Sequence, residues 1–196
     1  MDSTTKIIEL ASQNNGIVTA AMISAGISRG SLKYLADTGR LDQVSRGVYT
    51  LPEVWEDEFV SIQERYKRGV FALDTALFLH DLTDRTPHKF HMAFPYGYNT
   101  SSPKAAGILC SCKKEPYYSL GIALVDTPAG NTVRAYNAEK TLCEILKPIS
   151  HTDIQIITDA FKRYDGRKDK NIPLLSEYAH QLRVEKRLRP YLEVLL

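Results

Sequence analysis

Apolar positions near the start of the chain recur at helical spacing. They form one stripe, consisting of Ile7, Ile8, Leu10 and Ala11. This stripe predicts a first helix, which Asp2 or Ser3 can cap at its N-terminus. The helix is expected to end at Asn14-Asn15-Gly16, because glycine adopts the left-handed conformation that closes many helices.

Two short helices are predicted next. Thr19 begins one of them, over residues 20–25, and Gly26 closes it. Ser28 caps the other, which runs from residue 29 to about residue 38 and ends before Gly39.

A β-hairpin follows the helices. Residues 41–44 and 47–51 have the composition of two short strands around the turn Ser45-Arg46-Gly47. Three short helices followed by a hairpin are the element order of a winged helix-turn-helix. We therefore predict that residues 1–52 form a winged helix-turn-helix DNA-binding domain.

The third predicted helix has two different faces. Leu32, Leu35 and Ala36 recur at i, i+3 and i+4 and are expected to pack on the first two helices. Arg29 and Lys33 lie on the opposite face. The N-terminal part of a recognition helix contacts base edges in the major groove, where arginine suits guanine and lysine suits phosphate.

Seven residues are predicted to contact DNA. The helix N-terminus can bind a phosphate through its free backbone N–H groups, and basic residues flank the hairpin. The predicted residues are Ser28, Arg29, Ser31, Lys33, Tyr34, Arg40 and Arg46. The same pattern also fits a helical domain with no DNA role, or a winged helix that binds protein.

The rest of the chain, residues 53–196, predicts an α+β domain with a helical C-terminal end. A helix to about Tyr66 and a second from Gly69 to about Leu82 are followed by a strand at residues 90–94 and a loop at residues 95–103. Short strands are predicted near residues 107–110, 120–125 and 133–136. Asn137 caps a helix over residues 138–146, and three more helices follow near residues 151–164, 173–182 and 184–195. The predicted fold class is α+β.

The net charge is unevenly distributed. The 25 Lys and Arg residues and 23 Asp and Glu residues give a formal net charge of +2. Residues 1–55 are neutral, so a single copy of this domain is expected to bind DNA weakly, because non-specific affinity comes from phosphate neutralisation. Two protomers on adjacent DNA repeats, or a basic segment elsewhere, would supply the missing charge.

Such a basic segment is present near the C-terminus. Residues 162–189 carry an excess of positive charge, which predicts either a solvated helix face or contact with an anionic partner, a nucleic acid or an acidic protein surface. The candidate residues for this contact, with DNA or with an acidic protein surface, are Lys162, Arg163, Arg167, Lys168, Lys170, Arg183, Lys186 and Arg187.

Composition limits the remaining function classes. The hydrophobic fraction of 43% is that of a globular protein, and no apolar run has the length of a membrane span. Cys110, Cys112 and Cys143 are an odd count without a signal peptide, which predicts a cytoplasmic protein without disulfides. Their spacing predicts no metal site, and we expect no cofactor. No catalytic motif is present, so we expect no enzyme activity.

Several motifs together resemble a known family. They are Gly16-Ile-Val-Thr, Ala25-Gly-Ile-Ser, Gly30-Ser-Leu and Arg46-Gly-Val-Tyr, and they resemble the N-terminal domain of the AbiEi antitoxins of abortive-infection systems. The segments 73–82 and 133–146 are similar to the second domain of that family.

The resemblance implies a type IV antitoxin that acts in phage defence. It implies that the winged helix binds inverted repeats in double-stranded DNA and represses its own operon. It further implies that the C-terminal domain counteracts a nucleotidyltransferase-like toxin without a requirement for a stable complex, and that no membrane is involved. The alternatives are a winged-helix module for protein interaction and a conventional transcriptional regulator without an antitoxin role.

Overall fold

The computed structural model describes residues 2–23 and 27–195, which form two compact units. Unit 1 consists of Met1–Lys67 together with Asp126–Val133, and unit 2 consists of Arg68–Val125 and Arg134–Leu196. The sequence predicts a domain boundary after residue 52, whereas unit 1 extends beyond that residue. The boundary after residue 52 stays a prediction. In the described residues no helix is long and apolar enough to cross a membrane.

The described part of unit 1 contains two of the three predicted helices, followed by the predicted hairpin. Its elements are α1 (Ser3–Gln13), β1 (Ile17–Thr19), α2 (Arg29–Asp37), β2 (Asp42–Ser45), β3 (Val48–Thr50) and α3 (Glu58–Arg65). The described strands form a three-stranded antiparallel sheet in the order β1-β3-β2. The core between the helices and this sheet includes Ile7, Ala11, Val18, Leu32 and Leu35.

The predicted helix over residues 20–25 is wrong at its start. Ile17–Thr19 is a buried strand, and residues 20–22 form a turn in which the Met22 N–H donates to the Thr19 carbonyl at 3.0 Å. Two β-branched residues precede Thr19, and β-branched side chains pack well on a sheet. Val18 pairs with Tyr49, so the sheet contact overrides the local helical pattern. The end of the predicted helix, residues 24–26, lies outside the described residues.

Unit 2 is built on a sheet flanked by helices. The elements that lie wholly or mainly in it are β4 (Val70–Phe71), α4 (Leu73–Leu79), β5 (His91–Pro95), α5 (Ser101–Ala105), β6 (Leu109–Lys113), β7 (Ile122–Asp126), β8 (Thr132–Tyr136), α6 (Ala138–Ile145), a 3-10 turn (Pro148–Ser150), α7 (Ile154–Asp165), α8 (Ile172–Gln181) and α9 (Glu185–Leu195). The last residue of β7 and the first two of β8 belong to unit 1. The described strands form a five-stranded sheet in the order β6-β5-β4-β8-β7. Strands β5 and β6 are parallel, as are β4 and β8, whereas β4 and β5 are antiparallel. The mixed α+β fold class is confirmed.

Two local predictions in this unit are wrong. The helix expected from Gly69 begins only at Leu73, because Val70 and Phe71 are fully buried and pair with Ala93 and Met92 of β5. The loop predicted over residues 95–103 contains the start of α5, which carries Pro103 as a buried residue. Proline is compatible with the first turn of a helix, since the N–H groups there have no partner inside the helix.

The helical C-terminal end packs around α6. Asn137 caps this helix by accepting a hydrogen bond of 3.0 Å from the Lys140 N–H. All eight residues of α6 are buried, including Glu139, Lys140 and Glu144. The apolar side of α6 packs on α7, α8 and α9 through residues such as Leu142, Phe161 and Leu175. A helix that is buried all round must pair its charged side chains internally.

Candidate nucleic-acid interface

Helix α2 presents its backbone N-terminus at the surface. The Ser28 hydroxyl oxygen accepts a hydrogen bond of 3.1 Å from the Gly30 N–H, as predicted for the cap of this helix. Serine is a preferred cap because it satisfies one of the N–H groups that have no partner inside the helix. The helix N-terminus carries a partial positive charge, which favours an anion such as a phosphate.

The two faces of α2 differ in burial as the spacing predicted. Leu32 and Leu35 are 2% and 0% exposed and hold the helix on the core. Lys33 is exposed, and Tyr34 exposes 57% of its surface to solvent. Ser31 is half-buried, and the side chain of Arg29 lies outside the described residues. The outward face of α2 therefore combines the ammonium group of a lysine with a tyrosine whose hydroxyl can donate a hydrogen bond.

The hairpin β2–β3 supplies the wing. Ser45 pairs with Val48 across a two-residue turn, in which Gly47 has a φ of +82° and Arg46 is exposed. Glycine suits this position because other residues resist a positive φ. The wing thus ends in an exposed arginine on a well-defined turn, which is a geometry suited to a phosphate contact.

Arg40 is separated from the rest of the predicted set. It is exposed and follows α2, with its N–H donating to the Leu35 carbonyl at 2.9 Å. A nine-residue helix is about 14 Å long, so Arg40 and Ser28 lie at opposite ends of α2. The structure groups Ser28, Lys33 and Tyr34 on α2, whereas Arg40 and Arg46 belong to the segments that follow it.

Half of the predicted basic segment in unit 2 is engaged in internal contacts. Arg163 pairs with Asp84 at 3.2 Å, and Lys170 pairs with Asp165 at 2.6 Å. The Arg187 guanidinium donates to the Leu146 carbonyl at 3.2 Å. These side chains therefore have a structural explanation that needs no partner.

Arg167 is held most firmly in this segment. Its guanidinium donates to both carboxylate oxygens of Asp169, at 2.9 and 2.7 Å, and to the His80 carbonyl at 2.6 Å. The hydrogen bonds to Asp169 raise the pKa of Arg167, and the same pairing lowers the pKa of the Asp169 carboxyl. Four other members of the segment are exposed and have no ion pair within the described part of the chain: Lys162, Lys168, Arg183 and Lys186.

A buried charge network in unit 2 was not anticipated from the sequence. The Lys113 Nζ lies 2.6 Å from the Glu144 Oε1, and the fully buried Lys140 Nζ lies 3.9 Å from the same oxygen. Lys140 also donates to the Tyr117 and Leu120 carbonyls. Burial lowers the pKa of Lys140 to about 7, although the Glu144 charge opposes this shift. The only feature of the local sequence that indicated an ion pair was the i, i+4 spacing of Lys140 and Glu144, and this spacing usually marks an exposed pair.

The network of Lys113, Lys140 and Glu144 has a structural role. Lys140 is 0% exposed and Glu144 is 2% exposed, so neither side chain is accessible to a partner. In the part of the chain that the structure describes, no group of three or more His, Cys, Asp or Glu residues could hold a metal ion. Cys143 is buried, Cys110 is partly exposed and Cys112 is exposed.

Comparison with solved structures reveals a related fold. The crystal structure of the RV2827C protein from Mycobacterium tuberculosis is similar, with a TM-score of 0.51 and 14% sequence identity over 97% of this chain and 80% of that chain. At this identity the similarity concerns the fold alone. A comparison with curated proteins gave no match.

A family model matches the segment that carries α1, α2 and the wing. The matched residues are 6–52, and the family is described as a transcriptional regulator, AbiEi antitoxin. This match agrees with the resemblance carried by the Gly16, Gly30 and Arg46 motifs, and it supports a regulatory or antitoxin role. Residues 6–52 are thus similar to the family described as a transcriptional regulator, AbiEi antitoxin.

Proposed function

We propose that this protein is a DNA-binding autorepressor that is also the antitoxin of a type IV toxin–antitoxin system. In this proposal the N-terminal domain binds inverted repeats upstream of its own operon, and unit 2 counteracts a nucleotidyltransferase-like toxin. The observation that carries the proposal is the exposed face of α2, with Lys33 and Tyr34, within the segment that matches the AbiEi family model.

The recognition helix acts in the major groove. Its buried leucines fix the orientation of α2, so the positions of the exposed side chains are preorganised before DNA binds. Lys33 and Arg29 supply charge and hydrogen-bond donors toward bases or phosphates, and the α2 N-terminus after Ser28 binds a backbone phosphate. Arg46 on the wing contacts the sugar-phosphate backbone and adds affinity without sequence preference.

Two protomers bind one operator in this proposal. Residues 1–55 have no net charge, so one domain alone neutralises few phosphates. Two copies on adjacent repeats double the number of contacts and match the two-fold symmetry of an inverted repeat. The exposed, unpaired cations of the basic segment either add DNA contacts or serve the antitoxin role.

The proposal is tested by a gel-shift titration with the DNA upstream of the protein's own gene. The Arg29→Ala/Lys33→Ala double variant is expected to weaken binding at least ~tenfold, since a good base contact contributes about 1–3 kcal/mol. Lys6→Ala is the matched control, because Lys6 is an exposed lysine of α1 outside the proposed interface. Unchanged affinity in the double variant would remove α2 as the recognition helix.

A separate assay tests the antitoxin role. The protein is co-expressed with the product of a neighbouring nucleotidyltransferase-like reading frame, and growth is measured. Rescue of growth by both the wild-type protein and the Arg29→Ala/Lys33→Ala variant would support an antitoxin role that is independent of DNA binding. Absence of rescue by the wild-type protein would favour a conventional regulator.

A further inference from the structure

A cavity of about 710 Å³ in unit 2 has no role in the proposed function. It is lined by residues of β5 and β6, by the beginning of α4 and by the segment that follows α6. Small-molecule sites have volumes of about 300–1,000 Å³ and combine an apolar lining with a few polar groups. The size of this cavity therefore suits a ligand of nucleotide dimensions.

Two lysines are the only formally charged side chains in the described lining. Lys89, Lys104, His91 and His151 line the cavity, and no Asp or Glu is among its described lining residues. Both lysines are exposed, so their ammonium groups lie at the mouth rather than in the interior. A concave surface lined by cations and backed by protein focuses the field and attracts anions.

One imidazole in the lining lacks a ring partner. The His91 Nδ1 is buried and has no hydrogen bond within the described part of the chain, and the nearest carboxylate oxygen, Asp74 Oδ2, lies 3.7 Å away. That separation is too long for a hydrogen bond. The backbone of His91 is fixed by its N–H, which donates to Thr75 Oγ1 at 2.8 Å. His91 thus contributes to the cavity wall from a fixed backbone, and its buried Nδ1 is not open to a ligand in the cavity.

The backbone on two sides of the cavity is strained. Leu73 has a φ of +48° and His151 has a φ of +52°, and both residues line the cavity. A positive φ is unusual for a bulky residue, and such strain clusters at binding sites. The apolar part of the wall includes Met92, Ile108 and Ile149, and Ser111 and Ser150 also line the cavity.

We propose that this cavity binds a small molecule that joins a phosphate group to an apolar moiety, as a nucleoside monophosphate does. Lys89 and Lys104 hold the phosphate at the mouth, and the apolar moiety packs on Leu109 and Ile149, which are apolar lining residues with exposed surface. Lysine binds phosphate as a point charge, so the site requires the charged group but tolerates variation in its geometry.

The test is isothermal titration of the full-length protein with adenosine monophosphate, and with adenosine as the uncharged comparison. Adenosine monophosphate is expected to bind at least ~tenfold more tightly than adenosine, because hydrogen bonds to a charged phosphate are stronger than those to a neutral hydroxyl. The Lys89→Gln/Lys104→Gln variant is expected to lose this preference. Lys114→Gln is the matched control, since Lys114 is exposed and lies outside the cavity lining.

A second measurement locates the bound nucleotide. Cys112 is exposed and lines the cavity, so its alkylation by N-ethylmaleimide is expected to slow when adenosine monophosphate is present. The slowing should be absent in the Lys89→Gln/Lys104→Gln variant, whose melting temperature reports whether it is folded. Absence of binding heat together with unchanged alkylation in the wild-type protein overturns the proposal. Binding that the folded double variant retains at full strength overturns it as well.

Discussion

The carboxylate of Asp57 accepts a hydrogen bond of 2.5 Å from the hydroxyl of Thr127, which lies 70 positions further along the chain. The same oxygen accepts a second hydrogen bond of 2.9 Å from the Asn131 side-chain amide. The other oxygen caps α3 by accepting from the Phe59 N–H at 3.0 Å. One buried carboxylate, 5% exposed, thus joins the segment Asp126–Val133 to the rest of unit 1.

Replacement of Asp57 by alanine is expected to lower the free energy of unfolding by about 3–4 kcal/mol. The change removes a helix cap and leaves the buried hydroxyl of Thr127 and the partly buried amide of Asn131 without their acceptor, and hydrogen bonds to charged groups are among the strongest. Urea denaturation measures the effect. Asp153→Ala is the matched control, because Asp153 caps α7 through the Gln155 N–H at 2.7 Å but is exposed. The control substitution should lower the free energy of unfolding by about 1 kcal/mol. An equal decrease in both variants would contradict the proposed role of Asp57.

The stability of the protein is expected to fall as the pH drops below 6.5, the ordinary pKa of histidine. Burial lowers the pKa of His80, whose Nε2 lies 2.8 Å from the Tyr136 carbonyl. The unfolded chain then binds a proton at a higher pH than the folded chain does, so acidification favours unfolding between the two pKa values.

The His80→Gln variant is expected to show a shallower decline of stability between pH 7 and pH 5. Glutamine can still donate to the Tyr136 carbonyl but does not titrate. Burial also lowers the pKa of His91, so part of the decline should persist in this variant. Thermal unfolding at several pH values measures the difference. The same slope in the wild-type and variant proteins would exclude His80 as a source of the pH dependence.

Replacement of Glu144 by glutamine is expected to destabilise the protein by about 3 kcal/mol, because removal of one partner leaves buried charges uncompensated. The carboxylate lies 2.6 Å from the Lys113 Nζ and 3.9 Å from the Lys140 Nζ. Glu185→Gln is the control, since its partner His180 is exposed and such pairs contribute about 0–1 kcal/mol. Chemical denaturation measures the free energy of unfolding of both variants. A decrease no larger in Glu144→Gln than in the control would contradict a stabilising role of the network.

Charge reversal of the unpaired basic residues is expected to separate the two roles proposed for the basic segment. The variant carries Lys162→Glu, Lys168→Glu, Arg183→Glu and Lys186→Glu and leaves the internally paired residues untouched. If these cations contact DNA, operator affinity and its salt dependence should both fall, by a slope of up to about 0.9 per lost contact. If they contact the toxin, rescue of growth should fall while operator affinity is retained. No change in either assay would indicate a solvated face.

Binding to a two-repeat operator is expected to be cooperative. Each protomer contributes one α2 helix, so two protomers are needed to occupy both repeats. A fluorescence-anisotropy titration should give a Hill slope above one on the intact operator and a slope of one on a single repeat. A slope of one on both DNAs would show that the two sites are filled independently.

Elements that depend on local spacing could be predicted from the amino-acid sequence. The cap at Ser28, the buried leucines of α2 and the turn at Gly47 follow from neighbours within a few positions, where helical periodicity and conformational preference act directly. The exposed face with Lys33 and Tyr34 follows from the same periodicity. The resemblance of this region to the AbiEi antitoxins was carried by the same short-range motifs.

Features that depend on distant partners could not be predicted from local spacing and are seen only in the folded chain. Val70 and Phe71 become a strand because β5 and β8 lie beside them, although their own neighbours favour a helix. Lys140 and Glu144 have the spacing of an exposed pair, yet packing around α6 buries them both. Asp57 and Thr127 come within hydrogen-bond distance only in the folded chain. Burial and hydrogen bonding between distant segments contribute more free energy than local propensity does, and a single sequence does not record which segments meet.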